Sequence, residues 1–238
     1  LGIGVDGDVA ALAANARGLI AGGSFSAAGG QNSPSVARWD GSWHAMDGGT
    51  TGQVQAAAVF GPDVVVGGSF ALAPGLAPLD IARWTGSAWG TVGAAPDQPV
   101  YAFQTFDGDF IAGGTFTSIG GIPARRIARW NGATWEELGG GVSGTYLPRA
   151  SPVGIYNGEL IVAGQFTFAG TTPANNFARW NGSQWFAFPP GGPGLVYAAA
   201  VFNGRLVLGG YGGSGSATTV PIGRKTPSEA SPGLRSSV

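Results

Sequence analysis

Apolar residues along this chain gather in short runs of strand length, and no segment carries the 3.6-residue period of an amphipathic helix. The stretches "VYAFQTFDGDFIAGGTF" (100–116) and "VYAAAVFNGRLVLGGY" (196–211) show the pattern: a Val/Ala/Phe run, a two-residue turn, then a second apolar run. Asp107-Gly108, Asn157-Gly158 and Asn203-Gly204 are the dipeptides that favour a type I′ hairpin, because both central residues need positive φ. The second run ends at a glycine-aromatic signature: "GGSF" at 22–25 and 67–70, "GGTF" at 113–116, "AGQF" at 163–166 and a weaker "GGY" at 209–211. A loop of roughly ten residues rich in Gly, Pro and Asn then predicts a break before a short third strand. That strand carries Ala-Arg-Trp, and turns such as Asn131-Gly132 and Asn181-Gly182 lead into a fourth.

The unit repeats. Arg-Trp stands at Arg38-Trp39, Arg83-Trp84, Arg129-Trp130 and Arg179-Trp180, and Trp43, Trp89, Trp135 and Trp185 follow, which uses all 8 tryptophans. Four antiparallel strands recurring every 45–50 residues describe one blade of a β-propeller, so the fold class read from the pattern is all-β. The repeats run over about 8–52, 53–98, 99–144, 145–194 and 195–222, with 223–238 as a non-repeat tail. The opening "LGIGVDG" (1–7) matches "LGGGVSG" (138–144) at most positions, and the fifth unit lacks a recognisable fourth strand. The expectation is a five-bladed ring in which residues 1–7 close the last blade, which removes open sheet edges. A fragment of a six- to eight-bladed propeller is the alternative.

The phrase "GGxFxxxGG…IARWNGxxWxxLGxG" resembles the kelch-like repeats of large secreted bacterial proteins, and is similar to the repeats of fungal cortical-marker surface proteins. The resemblance covers about residues 1–211. Its aromatics are spaced differently from kelch proper, five apart in three units and four apart in the first. It implies a propeller on an extracellular or cell-surface protein that binds a partner.

Strand alternation puts the Trp of "IARW" on the opposite sheet face from the Arg. In a propeller both faces are covered by neighbouring blades, so each tryptophan reads as inter-blade packing. Each arginine then needs an acceptor: a loop carbonyl, a carboxylate on the adjacent blade, or an aromatic face. The eight residues Arg38, Trp39, Arg83, Trp84, Arg129, Trp130, Arg179 and Trp180 are thus expected to form a structural latch.

Charge and composition narrow the chemistry. Charged residues are 11% of the chain and the net charge is −1, which gives no electrostatic footprint for nucleic acid or an anionic membrane. No apolar run reaches the length needed for membrane insertion. Cysteine is absent, which excludes disulfides, thiolate metal sites and cysteine nucleophiles. "GIGVDG" (2–7) matches a dinucleotide fingerprint formally, but no helix follows it. His44 is the only histidine, so a triad or multi-histidine metal site is hard to build. Glu136 and Glu137 are adjacent on a strand and point to opposite faces, which does not suit paired catalysis. Asp6/Asp8 and Asp107/Asp109 invite calcium without forming a full calcium loop. No metal or cofactor is expected.

Variation among the repeats concentrates at the end of the ring that carries the two–three loops and the inter-blade connections. Constant framework with variable loops is how a scaffold carries function. The polar candidates there are Arg125, Arg126, Tyr146, Arg149, Asn175 and Asn176. The reading is a non-enzymatic binding scaffold, for a glycan or a protein on the loop face. A polysaccharide-active enzyme with acids from different blades is one alternative; a structural repeat module continued in a longer parent chain is another.

Overall fold

The computed structural model describes residues 3–72, 76–144, 149–188, 195–203, 205–211 and 218–220. All regular structure among them is antiparallel strand. The first sheet is built from Asp8–Asn15, Gly18–Ser24, Val36–Trp39 and Trp43–Ala45 in sequence order. The second repeats it with Gln53–Phe60, Asp63–Ser69, Ile81–Trp84 and Trp89–Gly90. Val100–Phe106, Asp109–Gly114, Ile127–Trp130 and Trp135–Glu137 form the third. The fourth is Arg149–Tyr156, Glu159–Gln165, Phe177–Trp180 and Trp185–Ala187. In the fifth, Leu195–Phe202 and Arg205–Tyr211 pair with Thr218–Val220.

The first strands of successive sheets adjoin one another along the inner side. A small apolar cluster lies within the first blade, and the four larger ones lie between the sheets. One joins Val65, Ile81 and Val92 of the second sheet to Val100, Phe110, Trp130 and Trp135 of the third. Its counterpart joins Phe106, Ile111, Ile127 and Leu138 to Leu160, Val162, Trp180 and Trp185. Sheets that meet face to face with their first strands innermost are the blades of a β-propeller.

Local sequence explains the blade. Asp107 and Gly108 have φ 51° and 84°, and Asn157 and Gly158 have 52° and 74°, as a type I′ turn demands. The glycine doublet serves two neighbours. A Cβ on Gly67 would stand 2.7 Å from the Phe103 ring of the next blade, and one on Gly68 would stand 2.1 Å from the Gln53 carbonyl oxygen. The inner strand bulges beside that second contact, between Val54 and Ala56 in the second blade and likewise between Val100 and Ala102 in the third.

The two–three loops, expected to be irregular, carry a further small hairpin in three blades: Ala27–Ala28 with Gln31–Asn32, Ser118–Ile119 with Ile122–Pro123, and Phe168–Ala169 with Thr172–Pro173. The opening segment also departs from expectation. Instead of joining the fifth blade, it pairs with this hairpin in the first: Val5 bridges Ala28, and Gly29 N–H donates to the Gly4 carbonyl at 2.9 Å. Val142 pairs with Ala169 and Gly170 N–H donates to the Gly141 carbonyl in the same way, so "GIGVD" does for the first blade what "GGGVS" does for the fourth. The sheet of the fifth blade is three-stranded among the described residues. The tail 223–238 lies outside them.

Candidate ligand-binding face

The eight indoles sit in four tilted pairs with ring centroids 5.1–5.5 Å apart. The second ring of a pair ties its blade to the one before. Trp89 Nε1 donates to the Met46 carbonyl at 2.8 Å, Trp135 to that of Val92 at 2.7 Å, and Trp185 to that of Gly139 at 3.0 Å. The wedge of indoles between blades is therefore also a hydrogen bond across each of these junctions.

The arginines act elsewhere. Among the described residues each meets acceptors of its own blade. Arg179 pairs with the buried Glu159 at 2.8 Å and lies 4.5 Å over the Phe186 ring. Arg129 meets Asp109 at 3.3 Å and also Glu136, its cross-strand neighbour. Arg83 faces Asp63 at 3.5 Å. In the first blade the matching acid is replaced by Gly18, and Arg38 donates to the Arg17 carbonyl and to Asp40. Strand register explains the correction: the acid stands at the start of the second strand, beside the Arg on the third, whereas the neighbouring blade presents apolar side chains. An arginine that does cross a junction is Arg17, which donates to the Pro62 and Thr85 carbonyls at 3.0 Å; its position outside the repeat signature hid it.

At the loop end, the residue before the third strand holds a left-handed conformation in four blades: Ser35 (φ 61°), Asp80 (55°), Arg126 (68°) and Asn176 (63°). Each of their carbonyls accepts from a glycine N–H of the second strand, namely Gly23, Gly68, Gly114 and Gly164. Asp80 and Asn176 suit the position because their side-chain oxygens cap the Phe70 and Phe166 N–H groups, each at 3.2 Å. Asn176, expected as a ligand contact, is thus engaged in the loop itself. Burial pushes the Asp80 carboxyl above its ordinary range, with the Phe70 N–H opposing.

Arg126 breaks the pattern. An arginine has no acceptor, so Phe116 N–H receives no cap from it. Its Nε is enclosed and without a hydrogen-bond partner among the described residues. Arg125 beside it is exposed. Its carbonyl takes the Val142 N–H at 2.8 Å, which ties this loop to the connection into the fourth blade. Arg149 opens the inner strand of that blade and lies 5.5 Å over the Tyr101 ring. Tyr101 occupies the bulge of the third blade, a position that varies as Ala10, Gln55 and Tyr101. That variation is the signal by which the sequence could have exposed it. Asn175 is exposed, and Tyr146 lies outside the described residues.

Acids at this end are occupied by backbone donors. Asp6 accepts from the N–H groups of Ser26 and Ala27, each at 2.8 Å, and from the Ser26 hydroxyl; that hydroxyl first, then the N–H groups, hold its carboxyl below the usual range. Asp97 does the same for Thr117 and Ser118; burial raises its pKa, but these donors outweigh it and the carboxyl stays low. Asp109 belongs to the Arg129 pair at the opposite end. No three His, Asp or Glu residues gather as a metal site among the described residues. His44 joins Ser42 at 3.0 Å and Asp40 at 2.8 Å through the same ring nitrogen, Nε2, and a relay needs the two on different nitrogens.

Comparison with known proteins places a β-propeller family model on part of the fourth blade. Residues 157–182 match the family model "Domain of unknown function (DUF5122) beta-propeller". A crystal structure of the WD40 β-propeller domain of Doa1 is similar at 10% identity and a TM-score of 0.39, over 86% of this chain and 90% of that one. No curated protein matches. The chain is an all-β protein of the β-propeller class, a fold that serves as an interaction scaffold.

Proposed function

We propose that this propeller is a non-catalytic binding scaffold whose ligand seats on the loop end of the third and fourth blades, and that the ligand is a glycan bearing an anionic group. The single observation behind this reading is Arg126: a long cation at a position where two other blades place a short self-capping side chain, with its Nε enclosed and unpaired among the described residues. Arg125 precedes it in the chain and Arg149 opens the inner strand of the next blade, and neither forms an ion pair among the described residues, whereas Arg38, Arg83, Arg129 and Arg179 all do. A guanidinium fork matches a carboxylate or sulfate, and Tyr101 offers the flat apolar surface on which a sugar ring stacks. The likeness to kelch-like repeats of secreted proteins fits an extracellular or surface setting.

The test is a glycan array on the intact chain with neutral and acidic arms, repeated with Arg126→Asn and Arg149→Ala. Acidic glycans should bind, and both variants should lose at least tenfold in affinity. Arg126→Asn should at the same time stabilise the fold by about 1 kcal/mol, because Asn restores the cap on Phe116 N–H. An array silent on acidic glycans, or binding indifferent to both substitutions, overturns the assignment.

A further inference from the structure

The inner strands of the second and third blades leave the regular ladder at the same place, and each sets a different side chain there. In the third blade Val100 pairs with Gly114 and Ala102 with Gly113, which leaves Tyr101 as the extra residue of the bulge. In the second, Val54 pairs with Gly68 and Ala56 with Gly67, which leaves Gln55. The second strand fixes the height of both. Gly114 N–H donates to the Arg126 carbonyl on its other side, and Gly68 N–H donates to that of Asp80. Gln55 therefore stands level with the Asp80 turn as Tyr101 stands level with the Arg126 turn, and the two inner strands adjoin.

The flanking blades bound this pair. The first blade has the same bulge, between Val9 and Ala11, but fills it with Ala10, which offers no polar group. The fourth shifts its bulge along the strand, between Pro152 and Gly154, and keeps Ala150 and Ser151 in the ladder. There Arg149 opens the strand and lies over the Tyr101 ring. From the second blade to the fourth, the loop end thus presents an amide, an aromatic ring and a guanidinium.

Gln55 is half-buried, and its Oε1 is enclosed with no hydrogen-bond donor among the described residues. Leaving an enclosed amide oxygen without a donor is costly, so it gains most from a donor that a ligand brings. Arg126 Nε, one blade on, is enclosed in the same way but with the opposite need, an acceptor.

We infer that the ligand is an oligosaccharide of at least two units that spans these blades. Its anionic unit meets Arg126 and Arg149, and a hydroxyl of the adjoining neutral unit donates to Gln55 Oε1. An amide oxygen accepts from a hydroxyl and repels a carboxylate, which is why the second unit is neutral. The inference rests on the acidic-glycan reading of the Arg126 face and adds to it a second subsite.

Calorimetric titration of the intact chain tests it with glucuronate and galactose 6-sulfate, each alone and each extended by one neutral hexose at either end. Extension should raise the affinity of the parent about fivefold for at least one probe, the worth of one hydrogen bond. Gln55→Leu should bind the extended sugar no better than the bare one, with Gln55→Ala as the second variant should leucine lower the melting temperature. Arg126→Asn should weaken bare and extended sugars alike. Binding of a bare acidic sugar with no gain on extension overturns the second subsite and leaves the acidic one standing, as does a gain that survives loss of Gln55. Absence of binding by every probe, bare and extended, overturns both.

Discussion

Trp130 and Trp135 provide a controlled measurement of what latches one blade to the next. Their rings lie 5.4 Å apart in one pair, and both are buried, at 8% and 5% exposure. Replacing either by phenylalanine removes the same ring atoms from the same cluster, a loss of about 1 kcal/mol of apolar contact. Only Trp135→Phe also withdraws the N–H that the Val92 carbonyl accepts at 2.7 Å; Trp130 makes no such bond among the described residues. Val92 itself is 4% exposed, so its carbonyl is poorly placed to find water instead. A buried acceptor left without its donor costs about 1–3 kcal/mol. Trp135→Phe should therefore destabilise by about 2–4 kcal/mol and Trp130→Phe by about 1 kcal/mol. Urea unfolding followed by tryptophan fluorescence and by circular dichroism gives both values by linear extrapolation. Equal losses for the two variants would show that the indoles act by volume alone, and the hydrogen-bonded latch would be wrong.

Other consequences can be measured in the same way. Gly139→Ala should cost about 3 kcal/mol or more, because φ there is +56° and a Cβ would stand 2.2 Å from the Trp180 ring, whereas Gly121→Ala, at φ +80° in open space, should cost only about 1 kcal/mol; equal melting shifts would refute the crowding argument. Glu159→Ala removes the buried carboxylate that accepts twice from Arg179 and should lose about 3 kcal/mol. Asp63→Ala, whose partner Arg83 is 44% exposed, should lose under about 1 kcal/mol by the same chemical denaturation. Asp97 has a folded pKa below its unfolded value, so its contribution is present above the ordinary aspartate range and is lost as pH falls through the folded value. Thermal melts taken downward from about pH 5 should show a shallower decline in Asp97→Asn than in the parent, and parallel curves would contradict the capping role.

Reading the chain residue by residue reached the blade because its determinants are local. A type I′ turn at Asp107-Gly108 needs positive φ at two consecutive residues, and the short apolar runs on either side of such a turn are of strand length and too short for a helix. The evenly spaced indoles added the repeat. What lay beyond that reading depends on contacts between segments far apart in sequence. The arginine of each pair was recognised as needing an acceptor, yet Asp63, Asp109 and Glu159 are identified only by the register of the second strand against the third. The likeness of the opening residues to 138–144 was visible, while the hairpin they hold was not, since its pairing joins Val5 to Ala28 across a whole strand pair.

The candidate site divides in the same manner. The sequence alone determined that the variable polar residues fall at one end of a repeating β framework, because turn chemistry and alternation are encoded within a few neighbouring residues. Tertiary structure decided that Asn176 is consumed in capping Phe166, that the Nε of Arg126 is enclosed without a hydrogen-bond partner among the described residues, and that Tyr101 lies beneath Arg149 from another blade. Each of these outcomes is a difference between near-identical repeats. It emerges only when long-range packing sets which donors and acceptors are already satisfied.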